Sequence, residues 1–189
     1  MATSPSTGRY YNPTAVAMHW FVLGLVVAVY ACILLRENYP RGSDIREALK
    51  TWHYMLGLSV WALVLVRIVL RLFVWKAPRI TPAAPRWQML LAHVVHLGIY
   101  AFMFLMPLGG WLLLSAEGDP IPFWGLQLPS APIAPSETLA DQIKALHETG
   151  GTIGYFLIGL HAVAALYHHY VVRDDTLKRM LPHRDQVEP

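Results

Sequence analysis

Hydrophobic residues fall in four long runs that are separated by polar segments. The runs cover residues 17–35, 53–73, 89–115 and 147–172. Each approaches or exceeds the ~20 residues that a helix needs to cross ~30 Å of hydrocarbon, and lipid offers no partner to an open strand edge. The pattern predicts an all-α membrane protein, a four-transmembrane-helix bundle in one domain over residues 17–172. Residues 1–16 are then a polar N-terminal tail, and residues 173–189 are a C-terminal tail.

The composition agrees with a chain that lies mostly in lipid. Hydrophobic residues make up 55% of the 189 residues and charged residues only 14%, whereas soluble domains carry about 25%. Cys32 is the only cysteine, so an internal disulfide and a covalent haem attachment through a CxxCH motif are both excluded. Arg9 alone is basic before the first run, which favours a retained helix over a cleaved signal peptide. We expect membrane lipid, and no nucleic acid, around this chain.

The basic residues predict which way the helices cross the membrane. Ten of the fifteen Lys and Arg lie in the two tails or near the second connection, and five lie in the first and third connections. Because cytoplasmic segments carry the excess of positive charge, we expect both termini in the cytoplasm and the protein in the bacterial inner membrane.

The third connection, residues 116–146, differs from the other two in its proline content. Its five prolines oppose regular helix and predict an extended, stiff loop. Ser136-Glu137-Thr138 then indicates a helix start that leads toward His147. Phe123 and Trp124 are expected at the outer membrane interface, where aromatic rings are favoured.

Four histidines occupy positions that match in depth when the helices alternate in direction. His147 and His161 lie fourteen residues apart on the fourth run, which places them within about 40° of one face and about 21 Å apart along the axis. His53 then shares the outer level with His147, and His19 shares the inner level with His161. Since a haem iron needs both axial nitrogens within bonding distance, the sequence predicts two haem b groups, one held by each pair.

Other readings of the histidines stay open at this point. His93 and His96 open the third run on the inner side, and either is an alternative to His19 for the inner iron. A histidine at a helix edge can also face lipid headgroups. A haem-free, histidine-lined transporter or metal carrier is a third possibility, although Asp and Glu are nearly absent from the predicted helix interiors, where cation paths usually carry them.

Two glycines lie on the faces that carry the histidines. Gly57 follows His53 by four residues, and Gly154 lies midway between His147 and His161. A flat macrocycle has to approach the backbone closely, and glycine leaves room for it. Small-residue helix packing explains the same glycines equally well, since residues 150–154 match Gly-x-x-x-Gly.

Charged side chains near the histidines suggest further roles. Arg67 and Arg71 project near the ligand face toward the inner side, where they either pair with haem propionates or extend to the headgroups. His168 lies seven residues beyond His161 and is a candidate for proton exchange, or an ordinary interfacial histidine. Lys144 belongs to an outer basic cluster that attracts anions unless nearby acids cancel its field; the other members are Arg36, Arg41, Arg46 and Lys50.

Several stretches together resemble the bacterial cytochrome b561 family, membrane cytochromes that carry two b-type haems. The resemblance covers about residues 11–182. It is carried by Met18-His19-Trp20, Trp52-His53-Tyr54-Met55-Leu56-Gly57, the His93/His96 segment, Gly118-Asp119-Pro120 with Gly125-Leu126, His147-Glu148-Thr149, and the block from Gly154 through His161-Ala162 to Asp175-Thr176-Leu177. The axial ligands of the family fall on His19, His53, His147 and His161.

This resemblance implies an activity and partners. Quinone is expected as the membrane partner, and members that oxidise superoxide imply transfer of electrons from superoxide at the outer face to ubiquinone. We therefore predict a superoxide:ubiquinone oxidoreductase in which Lys144 and His168 are catalytic residues. The alternative is a cytochrome b subunit that exchanges electrons between quinone and a partner dehydrogenase or hydrogenase. The sequence gives no oligomeric state.

Overall fold

Four long helices form the fold in this computed structural model, which describes residues 11–75 and 85–181. The helices are α1 (Pro13–Leu35), α2 (Asp44–Phe73), α3 (Arg86–Glu117) and α4 (Glu137–Tyr167). All four are long and apolar enough to cross a membrane. The protein is therefore an all-α, four-helix membrane bundle, as the hydrophobic runs predict. Most of the predicted N-terminal tail, the centre of the second connection and His183 lie outside the described residues.

Each helix begins earlier than its hydrophobic run. α2 starts at Asp44 and not near His53, and α4 starts at Glu137 and not near His147. Side chains that cap the backbone explain both starts, because the hydroxyls of Ser43 and Ser136 accept hydrogen bonds from backbone N–H groups in the first turn. His53 and His147 therefore lie in the third turn of their helices, and not at the first.

The third connection is only partly the extended loop that its prolines predict. Ile121–Phe123 (β1) and Leu126–Leu128 (β2) pair as an antiparallel hairpin, and the last part of the segment is already helical. The hairpin turn consists of Trp124 and Gly125, both with positive φ (48° and 86°), as two-residue hairpin turns require. The helix start at Ser136-Glu137 agrees with the prediction from sequence.

The helices pack in chain order, α1 on α2, α2 on α3 and α3 on α4. Val22, Val60 and Val64 form a small buried cluster between α1 and α2. Many other large apolar side chains are exposed on the outer faces of the helices, as expected for a surface that contacts lipid. Side chains connect α1 to α4: the Tyr30 hydroxyl donates to the Gly151 carbonyl over 2.7 Å.

The C-terminal segment folds back onto the start of α1. A short π-helical turn, His168–Val172, follows α4, and a 3-10 turn covers Lys178–Met180. The Trp20 indole N–H donates to the Met180 carbonyl. Both ends of the described chain therefore lie at one end of the bundle, the same end as His19 and His161.

Candidate haem sites and an outer cavity

His53 on α2 and His147 on α4 face each other near one end of the bundle. Their ring centres are 6.2 Å apart and their planes cross at 78°. His53 Nδ1 lies 3.0 Å from the Val29 carbonyl oxygen, and because a carbonyl only accepts, Nδ1 carries the hydrogen. Nε2 of His53 is then left with a free lone pair, which is the tautomer that a metal ligand needs.

Two glycines of α3 make room for the His147 ring. A Cβ built on Gly110 would lie 3.4 Å from His147 Cε1, and one on Gly109 would lie 3.6 Å from Nδ1. His147 Nδ1 is itself buried with no hydrogen-bond partner in the described chain. Gly109 and Gly110 were not predicted as site residues, although two adjacent glycines inside an apolar helix, just after Pro107, are a signal of close approach.

His19 on α1 and His161 on α4 form the second pair, at the opposite end of the bundle. Their ring centres are also 6.2 Å apart, with planes at 63°. His96 on α3 lies beside the same pair, with its ring centre 5.2 Å from that of His161 and its plane at 82°. His93 is exposed, and its Nδ1 lies 2.6 Å from the Met89 carbonyl oxygen of its own helix.

The spacing of the rings tests whether an iron porphyrin fits. Two imidazoles that bind one metal ion from opposite sides, with metal–nitrogen bonds of about 2 Å, have ring centres about 6 Å apart. Both predicted pairs have this spacing, whereas the His96–His161 spacing is about 1 Å too short for it. The structure thus favours His19 over His96 as the partner of His161. Within residues 11–75 and 85–181, no group of three or more His, Cys, Asp or Glu could hold a bare metal ion.

A cavity of about 680 Å³ opens beside the His53–His147 pair. That volume lies in the range of about 300–1,000 Å³ that is typical of pockets for organic ligands. Gly57 lines the cavity, and a Cβ built on it would meet nothing within 4 Å. The residues present therefore fit a large, flat group that is held between two imidazoles.

The predicted outer basic cluster lines the same cavity; its members are Arg36, Arg41, Arg46, Lys50 and Lys144. Arg36 and Arg46 pair with Glu37 at 3.1 and 3.2 Å, and Lys50 lies 4.0 Å from Glu47. Across the described ranges, Arg41 and Lys144 are the members of the cluster with no carboxylate within ion-pair distance. Lys144 is also exposed, so its ammonium group is available to an anion at the mouth of the cavity.

Gly154 is not an open position like Gly57. A Cβ built on Gly154 would overlap the Phe102 ring and the Tyr30 hydroxyl, and Tyr30 in turn stacks on Tyr155, with ring centres 4.3 Å apart. Aromatic side chains therefore occupy the space between the two histidine levels at this point. Of the two explanations for Gly154, close packing of side chains is the one that the structure supports.

The two predicted arginines of α2 differ in their surroundings. Arg67 is half-buried, donates from Nε to the Tyr100 hydroxyl over 3.1 Å, and lies close enough to act electrostatically on both His19 and His161. Arg71, one turn further along α2, is exposed. Arg67 is therefore the arginine placed beside the His19–His161 pair.

His168 lies in the π-helical turn and pairs with a buried carboxylate. Its Nδ1 is 2.6 Å from Asp174 Oδ2, and Asp174 Oδ1 accepts from the Thr176 backbone N–H over 2.9 Å. Burial alone would raise the pKa of Asp174, but the hydrogen bonds from Thr176 and His168 together hold it below its ordinary value. Asp174 therefore stays ionised and orients His168, with Nδ1 carrying the hydrogen.

Comparisons with known proteins agree with this arrangement. A sequence profile of the prokaryotic cytochrome b561 family matches residues 10–183. The chain is 37% identical to cytochrome b561 homolog 1 of Escherichia coli K12 over 174 residues, 92% of this chain and 98% of the relative. It is also 37% identical to the probable superoxide oxidase CybB of Yersinia pestis, over 92% of this chain and 97% of the relative.

A second Escherichia coli K12 protein, cytochrome b561 homolog 2, is 27% identical over 93% of both chains. The family match spans nearly the whole chain, and each of these relatives is matched over nearly its full length. Together with the four apolar helices, this shows that the chain belongs to the prokaryotic cytochrome b561 family, bacterial membrane oxidoreductases that bind haem b and transport electrons.

Proposed function

We propose that this protein holds two haem b groups and carries electrons from superoxide, at the outer face of the bacterial inner membrane, to ubiquinone near the cytoplasmic side. His53 and His147 would hold the outer haem, and His19 and His161 the inner one. The observation that carries the proposal is the pair of 6.2 Å imidazole spacings at opposite ends of one bundle. Each haem, held by its two histidines, would supply a one-electron carrier that passes electrons without binding oxygen.

The cavity residues support an anionic electron donor. The lining of the cavity carries five basic side chains and three carboxylates, Glu47, Glu117 and Glu148, which gives it a net charge of +2. A surplus of one sign in a cleft with low-dielectric walls raises the local concentration of an oppositely charged small molecule. Lys144, exposed and without a carboxylate partner in the described chain, would hold the superoxide anion beside the His53–His147 pair.

The His168–Asp174 pair supports proton delivery at the other end. Reduction of ubiquinone takes up two electrons and two protons, so that two superoxide anions, one quinone and two protons give two oxygen molecules and one quinol. His168, fixed through Nδ1 by ionised Asp174, would give a proton from Nε2 to a quinone oxygen and regain one from the cytoplasm. A carboxylate that orients an imidazole and stabilises its protonated form is an efficient arrangement for such transfer.

Orientation rests on the distribution of basic residues. The end of the bundle that carries His19 and His161 also carries several basic residues. Arg86 begins α3 there, and α4 is followed there by Arg173, Lys178 and Arg179. Because cytoplasmic segments carry the excess of positive charge, this distribution supports the proposal that this end, with both termini, faces the cytoplasm.

Two measurements on the purified chain test the proposal. A haem assay should give two haem b per chain, and a chain without haem would refute it at once. A superoxide source together with a soluble ubiquinone analogue should then give quinol. Quinol should form faster than the uncatalysed dismutation of superoxide would allow. If the haem content is two but no excess quinol forms, superoxide is not the donor, and a dehydrogenase or hydrogenase that co-purifies with the chain would take its place.

A further inference from the structure

His96 contacts the inner histidine pair and has no role in the proposed electron transfer. Its ring centre lies 5.2 Å from that of His161, with the two ring planes crossing at 82°, and its Nδ1 lies 2.6 Å from the Ala92 carbonyl oxygen. Because the carbonyl only accepts, Nδ1 carries the hydrogen and Nε2 has a free lone pair. His96 is therefore fixed as a hydrogen-bond acceptor at its Nε2 end.

His161 needs such an acceptor if it binds iron. A histidine that ligates a metal through one nitrogen carries a hydrogen on the other, and that N–H almost always has a partner that fixes the ring. His53 has the Val29 carbonyl for this purpose. For His161, the described part of the chain shows no hydrogen bond to a protein acceptor, and the nearest aromatic ring with a free lone pair is that of His96.

The ring spacing also fits this role and not that of an axial ligand. Imidazoles joined by an N–H···N hydrogen bond have ring centres about 5 Å apart, against about 6 Å when they share a metal ion. The His96–His161 spacing is 5.2 Å and the His19–His161 spacing is 6.2 Å. We propose that His96 is a positioning residue that accepts the second N–H of His161 when the inner haem is bound.

This inference rests on the proposed haem ligation, and it predicts an effect on the inner haem alone. An acceptor on the ligand N–H makes the imidazole more basic and favours oxidised iron, so its loss should raise the reduction potential of that haem. Loss of such a partner typically weakens metal binding 10–100-fold. We therefore expect the inner haem to dissociate at least about tenfold faster in His96→Leu than in the natural protein.

Three variants of the full-length, haem-loaded protein test this. His96→Leu removes the acceptor, His96→Gln replaces it with a side-chain carbonyl, and His93→Leu removes an exposed histidine of the same helix whose Nδ1 is bonded in the same way. Potentiometric titration identifies the inner haem as the component that His161→Ala lacks, and transfer of haem to an apoprotein acceptor measures its dissociation. The potential should rise and dissociation should accelerate in His96→Leu, return toward the natural values in His96→Gln, and stay unchanged in His93→Leu.

Several results would overturn the inference. An unchanged inner potential in His96→Leu would show that His96 is no partner of His161. A shift that His96→Gln does not reverse would show a purely structural effect. Complete loss of the inner haem in His96→Leu, together with its retention in His19→Ala, would make His96 the axial ligand itself. In each case the natural protein still carries two haems, whereas failure of the proposed function would appear as missing haem before any substitution.

Discussion

Gly154 lies midway between His147 and His161 on α4, next to side chains of α1 and α3. The Phe102 ring and the Tyr30 hydroxyl occupy the space that a Cβ at this position would need. Tyr30 is held in place by its hydrogen bond to the Gly151 carbonyl and by its ring contact with Tyr155. A methyl group at Gly154 would therefore push the aromatic layer and α4 apart.

The cost of Gly154→Ala can be worked out against a matched substitution. Gly159 lies on the same helix, is exposed, and has nothing within 4 Å of its Cβ position. Alanine is favoured over glycine in a helix by about 1 kcal/mol at either site, so this term cancels in the comparison. Overpacking costs about 1–3 kcal/mol, and Gly154→Ala should be less stable than Gly159→Ala by about that amount.

Thermal or denaturant unfolding of both variants in detergent, followed by helical circular dichroism, measures the difference. The comparison should be made with and without bound haem. Packing of side chains predicts that Gly154→Ala is less stable in both forms. Equal stability of the two variants would refute the packing argument, and a loss confined to the haem-loaded form would return Gly154 to the role of a haem contact.

Three further predictions concern the sites themselves. His147→Ala should leave one haem per chain and His93→Ala two, because only the first removes a proposed ligand; a haem assay on both variants decides this. Lys144→Gln should lower the rate with superoxide and weaken its dependence on salt, while Arg86→Gln, which removes a charge at the other end of the bundle, should change neither in stopped-flow measurements. Asp174 has a pKa below its ordinary 3.8, so its contribution to stability is full above that pH and disappears as the pH falls through the lowered value. The natural protein should thus lose stability below about pH 4 relative to Asp174→Asn, and identical acid unfolding curves would contradict the pairing with His168.

The helices show how much of the fold can be predicted from the local pattern of hydrophobic residues. Apolar runs fixed the number of helices because lipid requires long apolar segments with satisfied backbone groups. Hydrophobicity alone puts the starts of α2 and α4 too far along the chain, because the first turns of both helices are polar. Ser43 and Ser136 cap these turns. The helix start at Ser136 was predicted from the sequence, and the one at Ser43 was not.

The histidines also show what the sequence can predict and what depends on packing. Sequence alone set the depth of each ring, because the rise per residue and the alternation of helix direction are properties of the chain. It could not decide whether His19 or His96 faces His161, since both lie at the inner level on different helices. That choice depends on lateral packing, which puts the ring centres of His19 and His96 at 6.2 and 5.2 Å from that of His161.

Gly57 and Gly154 are a further case in which the sequence leaves two explanations open and the tertiary structure distinguishes them. Both lie on histidine-bearing faces, and helical spacing gave them the same two explanations. In the folded bundle one faces an open cavity and the other supports two aromatic side chains. The sequence determined the spanning helices and the heights of their side chains, which follow from local geometry and the thickness of the membrane. The tertiary structure alone decided which side chains meet across the bundle, because contacts between helices depend on how four separate surfaces rotate and pack together.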